Sequence, residues 1–117
     1  MTRFFPALLI LLMVMYSQVT SARSVRQEGT VTRIILSSDG TFGGCLIQIS
    51  GRFSNDCSGG FATFSCTGEF TTKDVAYRML DQAQMAFALG SRVFVTVEDS
   101  KKHNGFCFGT RIDILSQ

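Results

Sequence analysis

Few side chains in this 117-residue sequence could carry catalysis, and they are poorly placed for one another. The only histidine, His103, lies in a polar stretch that is typical of a solvated turn. Acyl transfer would need an activated serine or cysteine and an orienting acid beside it, and no serine stands in a nucleophile-elbow pattern. Glu98 and Asp99 are neighbours on a predicted strand, so their carboxylates point to opposite faces. We therefore expect a protein that is not an enzyme.

The four cysteines indicate a different chemistry. None of them forms a Cys-x-x-Cys pair, so the spacing favours neither a zinc site nor a thioredoxin-like redox site. An even number of cysteines in a small exported chain is typical of a disulfide framework. The sequence predicts two disulfide bonds, no metal and no cofactor.

Export is predicted by the first 22 residues. Arg3 supplies a positive charge, residues 4–16 form an apolar run, and small residues end at Ala22, where a signal peptidase could cleave. The run is shorter than the roughly 20 apolar residues that a transmembrane helix needs. We expect a signal peptide at 1–22, a single disulfide-bonded domain at 23–117, a secreted or periplasmic location, and no membrane span.

The charge of the mature domain argues against nucleic acid as a partner. Without Arg3, ten lysines and arginines (11 − 1) face nine aspartates and glutamates, which gives a formal charge of +1 (10 − 9). Proteins that bind nucleic acid usually display a basic face, and here only Lys101 and Lys102 are adjacent. We expect no nucleic-acid partner.

The elements that must position these residues are five short strands and one helix. β-branched, aliphatic and alternating segments predict strands at 30–36, 45–49, 61–66, 93–98 and 106–115, with flexible residues at 23–29 and turns at 37–40 and 99–105. Apolar residues at spacings of three and four predict a helix of roughly 17 residues. Thr71 or Thr72 would cap its start and Gly90 its end, and its predicted buried stripe is Val75, Ala76, Met79, Leu80, Ala83, Ala86 and Phe87. Gly109 marks a possible bulge in the last strand.

The resulting order, β-β-β-α-β-β, predicts a mainly β fold with one helix (α+β), an OB-fold-like five-stranded barrel. In such a barrel the second and third strands form a hairpin, which brings Cys45 opposite Cys66. The third and fifth strands lie side by side, which brings Cys57 near Cys107. Because a disulfide needs Cα atoms within about 7 Å, we favour these two pairs among the three possible connectivities.

The residues also resemble a known family, the B subunits of subtilase cytotoxin and of the pertussis-like typhoid toxin. The resemblance rests on Cys45-Leu46-Ile47, on Cys66, on Met79-Leu80-Asp81-Gln82-Ala83-Gln84 in the helix, and on Gly90-Ser91-Arg92-Val93-Phe94-Val95. Small exported bacterial proteins of unassigned function that share this core are similar too. The resemblance implies a bacterial OB-fold subunit that binds glycans and assembles as a ring of five with helices lining the pore. A toxin A subunit is then a candidate partner.

One motif of the toxin subunits is missing. Those subunits carry a Tyr-Tyr-Ser segment ahead of the first strand, whose serine binds sialic acid. Residues 24–28 contain no tyrosine, so the sialic-acid site is not carried over.

Two groups of residues are candidates for binding. The loop at 52–60 is rich in groups that hydrogen-bond carbohydrates, and a nearby phenylalanine could stack on a sugar ring or contact another subunit; these candidates are Ser54, Asn55, Asp56 and Phe106. The polar helix face could meet another subunit through Lys73, Tyr77, Arg78 and Asp81. We expect a non-enzymatic binding protein of the toxin-B-subunit type, oligomeric, whose partner is a glycan or a protein receptor; the alternative is a monomeric periplasmic binding or inhibitor module.

Overall fold

The computed structural model describes residues 23–54 and 56–116, which form a five-stranded sheet with one helix. The strands are β1 (Ser24–Leu36), β2 (Cys45–Ile49), β3 (Phe61–Thr63), β4 (Arg92–His103) and β5 (Phe106–Ile114), and helix α1 (Lys73–Leu89) lies between β3 and β4. The sheet closes into a ring in the order β1-β2-β3-β5-β4, in which only β3 and β5 run parallel. The predicted fold class and element order are confirmed.

The predicted signal peptide at 1–22 lies outside the described residues. Within the part of the chain that the structure describes, no helix is long and apolar enough to cross a membrane.

The start of β1 corrects the prediction that residues 23–29 are flexible. Residues 24–30 pair with residues 92–98 of β4 in continuous antiparallel register. Val25 packs against the core, and Glu28 accepts a charged hydrogen bond from Arg92 at 2.9 Å. This segment is ordered because it pairs with β4, a strand far along the chain. Its own polar sequence does not predict that pairing.

The hairpin of β4 and β5 is tighter than predicted. β4 continues to His103, and the turn contains only Asn104 and Gly105, with φ of 52° and 83°. Two successive residues with positive φ make the compact turn that joins antiparallel strands most often, and Asn-Gly is its preferred sequence. The prediction of a turn over 99–105 was therefore wrong. The predicted irregularity at Gly109 is present, since the register between β4 and β5 shifts there.

The third strand is shorter than predicted. It ends at Thr63 rather than at 66, because Ser65 takes a left-handed conformation with φ of 59° that breaks the pleat. Phe64, fully buried, packs against β5 beside Gly109. A Cβ at Gly109 would lie 2.8 Å from the Phe64 ring, so only glycine leaves room for this contact.

Helix α1 covers one side of the sheet. Thr72 caps it by accepting a hydrogen bond from the Val75 N–H at 3.2 Å, and Gly90 ends it with φ of 64°. Its buried residues are Ala76, Leu80, Ala83 and Ala86, with Met79 packed partly against the core. The predicted buried stripe also included Val75 and Phe87, but these residues are 46% and 51% exposed.

Two disulfide bonds fix the sheet. Cys45 is bonded to Cys66 and Cys57 to Cys107, which confirms the favoured pairing. All four side chains are buried. The second bond ties the loop between β2 and β3 to the start of β5, beside the parallel pair of strands, whose register contains one residue pair, Thr63 with Phe108.

Candidate functional site

Two loops meet at one end of the sheet. They are the β1–β2 loop (residues 37–44) and the β4–β5 turn, Asn104 and Gly105. The Phe42 N–H donates a hydrogen bond to Asn104 Oδ1 at 2.9 Å, although 62 residues separate them. In OB-folds these two loops, with the face of the second and third strands, form the usual binding surface for oligosaccharides and oligonucleotides. The contact therefore lies where this fold most often binds its ligands.

Phe42 has an unusual backbone conformation for a bulky residue. Its φ is 59° and its ψ is 25°, in the left-handed region. A non-glycine residue in this region costs roughly 1–3 kcal/mol and persists only when its surroundings hold it there. Here Asn104 accepts from the Phe42 N–H, and Thr63 Oγ1 donates to the Phe42 carbonyl at 2.7 Å. These two hydrogen bonds hold the Phe42 backbone in its left-handed conformation.

Three phenylalanine rings form a partly exposed cluster at this place, which we call the aromatic platform: Phe42, Phe61 and Phe106. The ring centroids of Phe42 and Phe106 are 5.5 Å apart, edge to face, and those of Phe61 and Phe106 are 4.9 Å apart. Each of the three residues is intermediate in burial rather than part of the core. The platform brings the predicted residue Phe106 together with two others from distant strands and loops.

The β2–β3 loop is anchored to the turn beside the platform. Cys57 is bonded to Cys107, the residue after Phe106, and Ser58 Oγ donates to the Gly105 carbonyl at 3.4 Å. The predicted residues Ser54 and Asp56 are exposed on this loop. Asn55, the fourth predicted ligand residue, lies outside the described residues. The anchoring places polar groups of the loop close to the aromatic platform.

A buried polar network supports the two loops from below. Ser65 Oγ lies 2.9 Å from His103 Nε2, and the Phe70 N–H donates to the same oxygen at 3.1 Å. His103 Nδ1 lies 3.5 Å from Glu69 Oε2. The His103 side chain is only 10% exposed. The expectation that His103 is a solvated turn residue was wrong, because β4 continues through it and turns its ring inward.

His103 also explains a glycine of the β1–β2 loop. Gly43 has φ of 73°, and a Cβ there would lie 2.5 Å from His103 Cδ2. The Gly43 carbonyl accepts a hydrogen bond from the Thr67 N–H at 2.9 Å. The His103 imidazole therefore packs directly against the β1–β2 loop at Gly43.

The spatial arrangement of Ser65, His103 and Glu69 resembles the nucleophile, base and acid of a hydrolase, but the surroundings differ. Ser65 has no exposed surface, and its oxygen already accepts the Phe70 N–H. The Phe70 ring stacks on the imidazole with centroids 4.3 Å apart. A substrate carbonyl has no path to the Ser65 hydroxyl in this arrangement. We therefore interpret the network as a structural one, which stabilises the two loops.

A shallow polar cavity of about 390 Å³ opens beside the same β1–β2 loop. Its walls come from the loop, the segment after β3 and the first turns of α1; the polar side chains among them are Ser37, Ser38, Asp39, Thr67, Lys73 and Tyr77. None of the three platform residues lines it. Sequence inspection missed this cavity, and the Ser-Ser-Asp-Gly turn was its one local signal.

The Asp39 carboxylate is held by hydrogen bonds from its own loop. Hydrogen bonds from the Ser37 hydroxyl and then from the Thr41 hydroxyl and N–H lower the pKa of Asp39 from its ordinary 3.8 to about 2. The carboxylate is therefore charged at every physiological pH.

The residues predicted for subunit contact lie on the outer face of α1. Lys73, Tyr77, Arg78 and Asp81 are all exposed, and Arg78 pairs with Asp74 at 3.4 Å. Lys73 and Tyr77 also line the polar cavity. Several large apolar side chains of the helix are exposed too, which the predicted stripe did not anticipate: Val75, Met85, Phe87 and Leu89.

Among the described residues no cluster of three or more histidine, cysteine or carboxylate side chains could hold a metal ion. No protein-family model, curated protein or solved structure matched this chain.

Proposed function

We propose that the mature domain is an exported, non-enzymatic binding protein that holds a carbohydrate ring against the aromatic platform. The observation that carries this proposal is Phe42, a bulky residue kept in a strained conformation at the usual ligand surface of the fold. Strain of this kind gathers at ligand-binding sites, because a preorganised side chain loses little entropy on binding. Burial in the core does not explain it, since the Phe42 ring stays partly exposed.

Carbohydrate fits this site better than other ligand classes. The platform offers aromatic faces to the apolar C–H face of a sugar, and the anchored β2–β3 loop offers hydroxyl and carboxylate groups at Ser54, Asp56 and Ser58. A nucleic acid would need a basic surface, whereas the mature domain has a formal charge of +1 (10 − 9). Two disulfides fit an oxidising compartment, where glycans are common partners.

We extend the proposal to assembly as a toxin-like ring. The support is the number of large apolar side chains exposed on one helix, since scattered single residues are normal but several on one element favour a contact surface. A toxin A subunit would then sit against such a ring. The alternative is a monomeric periplasmic binding or inhibitor module on the same fold.

Sedimentation of the exported, oxidised protein separates these alternatives. A species near five times the monomer mass supports the ring, and a clean monomer at high concentration eliminates it in favour of the monomeric module. Neither result affects the platform, which lies within one chain.

A glycan array tests the ligand class. We expect selective binding, and Phe106→Ala should weaken it about two- to twelvefold, the loss that corresponds to one aromatic contact of roughly 0.5–1.5 kcal/mol. Leu36→Ala is the matched control, because Leu36 is exposed on β1 and belongs neither to the platform nor to α1. Thermal melts of both variants establish that they fold. A blank array with the folded wild-type protein would refute the carbohydrate proposal.

A hydrolase is the second candidate, favoured by one observation, the contact of Ser65 with His103 at 2.9 Å. A fluorophosphonate probe that labels activated serines decides it. We expect no labelling of Ser65 in the native protein, and stoichiometric labelling that His103→Ala abolishes would establish the hydrolase instead.

A further inference from the structure

The polar cavity beside the β1–β2 loop is a second candidate site, independent of the carbohydrate proposal. It contains both a carboxylate, Asp39, and an ammonium group, Lys73. No ion pair joins these two residues among those that the structure describes. Opposite charges that border one cavity without neutralising each other leave both available to a ligand.

The Asp39 wall is held by hydrogen bonds within its own loop. Its Oδ1 accepts the Ser37 hydroxyl, the Thr41 hydroxyl at 2.5 Å and the Thr41 N–H at 2.9 Å. Asp39 is nevertheless exposed. The loop therefore fixes the position of the carboxylate while its exposed surface can receive an ammonium or hydroxyl hydrogen.

Another wall of the cavity comes from the first turns of α1. Lys73 is exposed, and no described carboxylate lies within ion-pairing distance of its ammonium group. Its aliphatic stem lies beside Gly68, where an added Cβ would be 3.2 Å from Lys73 Cγ. Tyr77, one turn later on the same face and 50% exposed, adds an aromatic ring and a hydroxyl group.

We propose that this cavity binds a small zwitterion of the amino-acid or dipeptide class. The ligand's ammonium group would meet Asp39 and its carboxylate would meet Lys73, with the hydroxyls of Ser38, Thr67 and Tyr77 completing the hydrogen bonding. A neutral sugar would leave both charges without a partner. A singly charged ligand would satisfy only one of them.

Chemical-shift titration of the isotope-labelled, exported protein tests this proposal with three closely related probes. L-alanyl-L-alanine carries both charges, its N-acetyl derivative only the negative one, and its methyl ester only the positive one. We expect saturable shifts at the amides of Gly40, Gly44 and Thr67 with the free dipeptide. Each singly charged derivative should bind about two- to fivefold more weakly, the loss expected for one exposed ion pair.

Lys73→Met should weaken the dipeptide by a similar factor, whereas Lys102→Met, which removes an exposed lysine away from the cavity, should leave it unchanged. Phe106→Ala should also leave dipeptide binding unchanged, so a failure of the carbohydrate proposal does not affect this test. Three results would overturn the zwitterion site: no saturable shifts, equal affinity for all three probes, or equal binding of glucose at the same amides.

Discussion

At Phe42 a bulky side chain occupies a backbone conformation that suits glycine, and three neighbours hold it there. Asn104 and Thr63 bind its peptide groups, and Phe106 packs against its ring. The strain is local, but the residues that maintain it belong to different strands. The strained conformation of Phe42 therefore depends on the tertiary structure around it.

Substitution of Ser65 tests whether the buried polar network stabilises the fold. Ser65→Ala leaves the Phe70 N–H and His103 Nε2 without their buried partner, which should lower the free energy of unfolding by about 1–3 kcal/mol. Urea unfolding with an unchanged m-value measures the effect. Ser100→Ala, which removes an exposed hydroxyl on β4, should stay within about 0.5 kcal/mol. Equal stability of both variants would mean that the network does not support the fold.

The lowered pKa of Asp39 predicts that this side chain makes the stability of the fold depend on pH. Because its folded pKa of about 2 lies below the ordinary 3.8, ionisation stabilises the fold above pH 4, and this stabilisation is lost as the pH falls through 2. Asp39→Asn should therefore lower the melting temperature at pH 7, and the difference from wild type should vanish near pH 2. A difference that is constant over this range would indicate a role other than charge.

At the scale of elements, α1 has two sets of apolar residues, one buried and one exposed. Leu80 is 2% exposed and packs into the core, whereas Met85 is 57% exposed although it lies on the same helix. Leu80→Ala should cost about 2–5 kcal/mol of unfolding free energy, because it leaves a cavity in a packed interior. Met85→Ala, the exposed control on the same helix, should change the monomer's stability by less than about 0.5 kcal/mol.

Met85→Ala has a second use in the assembled protein. If the exposed side chains of α1 form the proposed subunit contact, this substitution should shift sedimentation towards smaller species without altering the melt of the monomer. Leu80→Ala with wild-type stability, in contrast, would show that the buried face of the helix is assigned incorrectly.

At the scale of the whole molecule, the two disulfides close loops of different length. Cys45 and Cys66 are 21 residues apart, and Cys57 and Cys107 are 50 apart. The chain-entropy model gives about 3 kcal/mol for the first bond and about 4 kcal/mol for the second. Replacing each pair by alanines should lower stability by amounts in this order, as measured by urea unfolding. The reverse order would indicate that native packing, rather than loop closure, governs the loss.

The sequence alone determined what depends on local patterns. The spacing of apolar residues identified α1, whose described bounds run from Lys73, after the Thr72 cap, to Leu89, before Gly90. The order of strands and helix predicted the sheet, and from it came the pairing of the cysteines. These predictions succeeded because hydrophobic periodicity, capping and turn chemistry act over a few residues.

Only the tertiary structure decided which distant residues meet. The pairing of residues 24–30 with β4, the contact of Ser65 with His103 over 38 positions, and the bond from Phe42 to Asn104 over 62 positions all depend on closure of the sheet. His103 illustrates the reason. A polar neighbourhood in sequence predicts solvent, but the extended register of β4 directs its ring inward, where burial and hydrogen bonding determine its role.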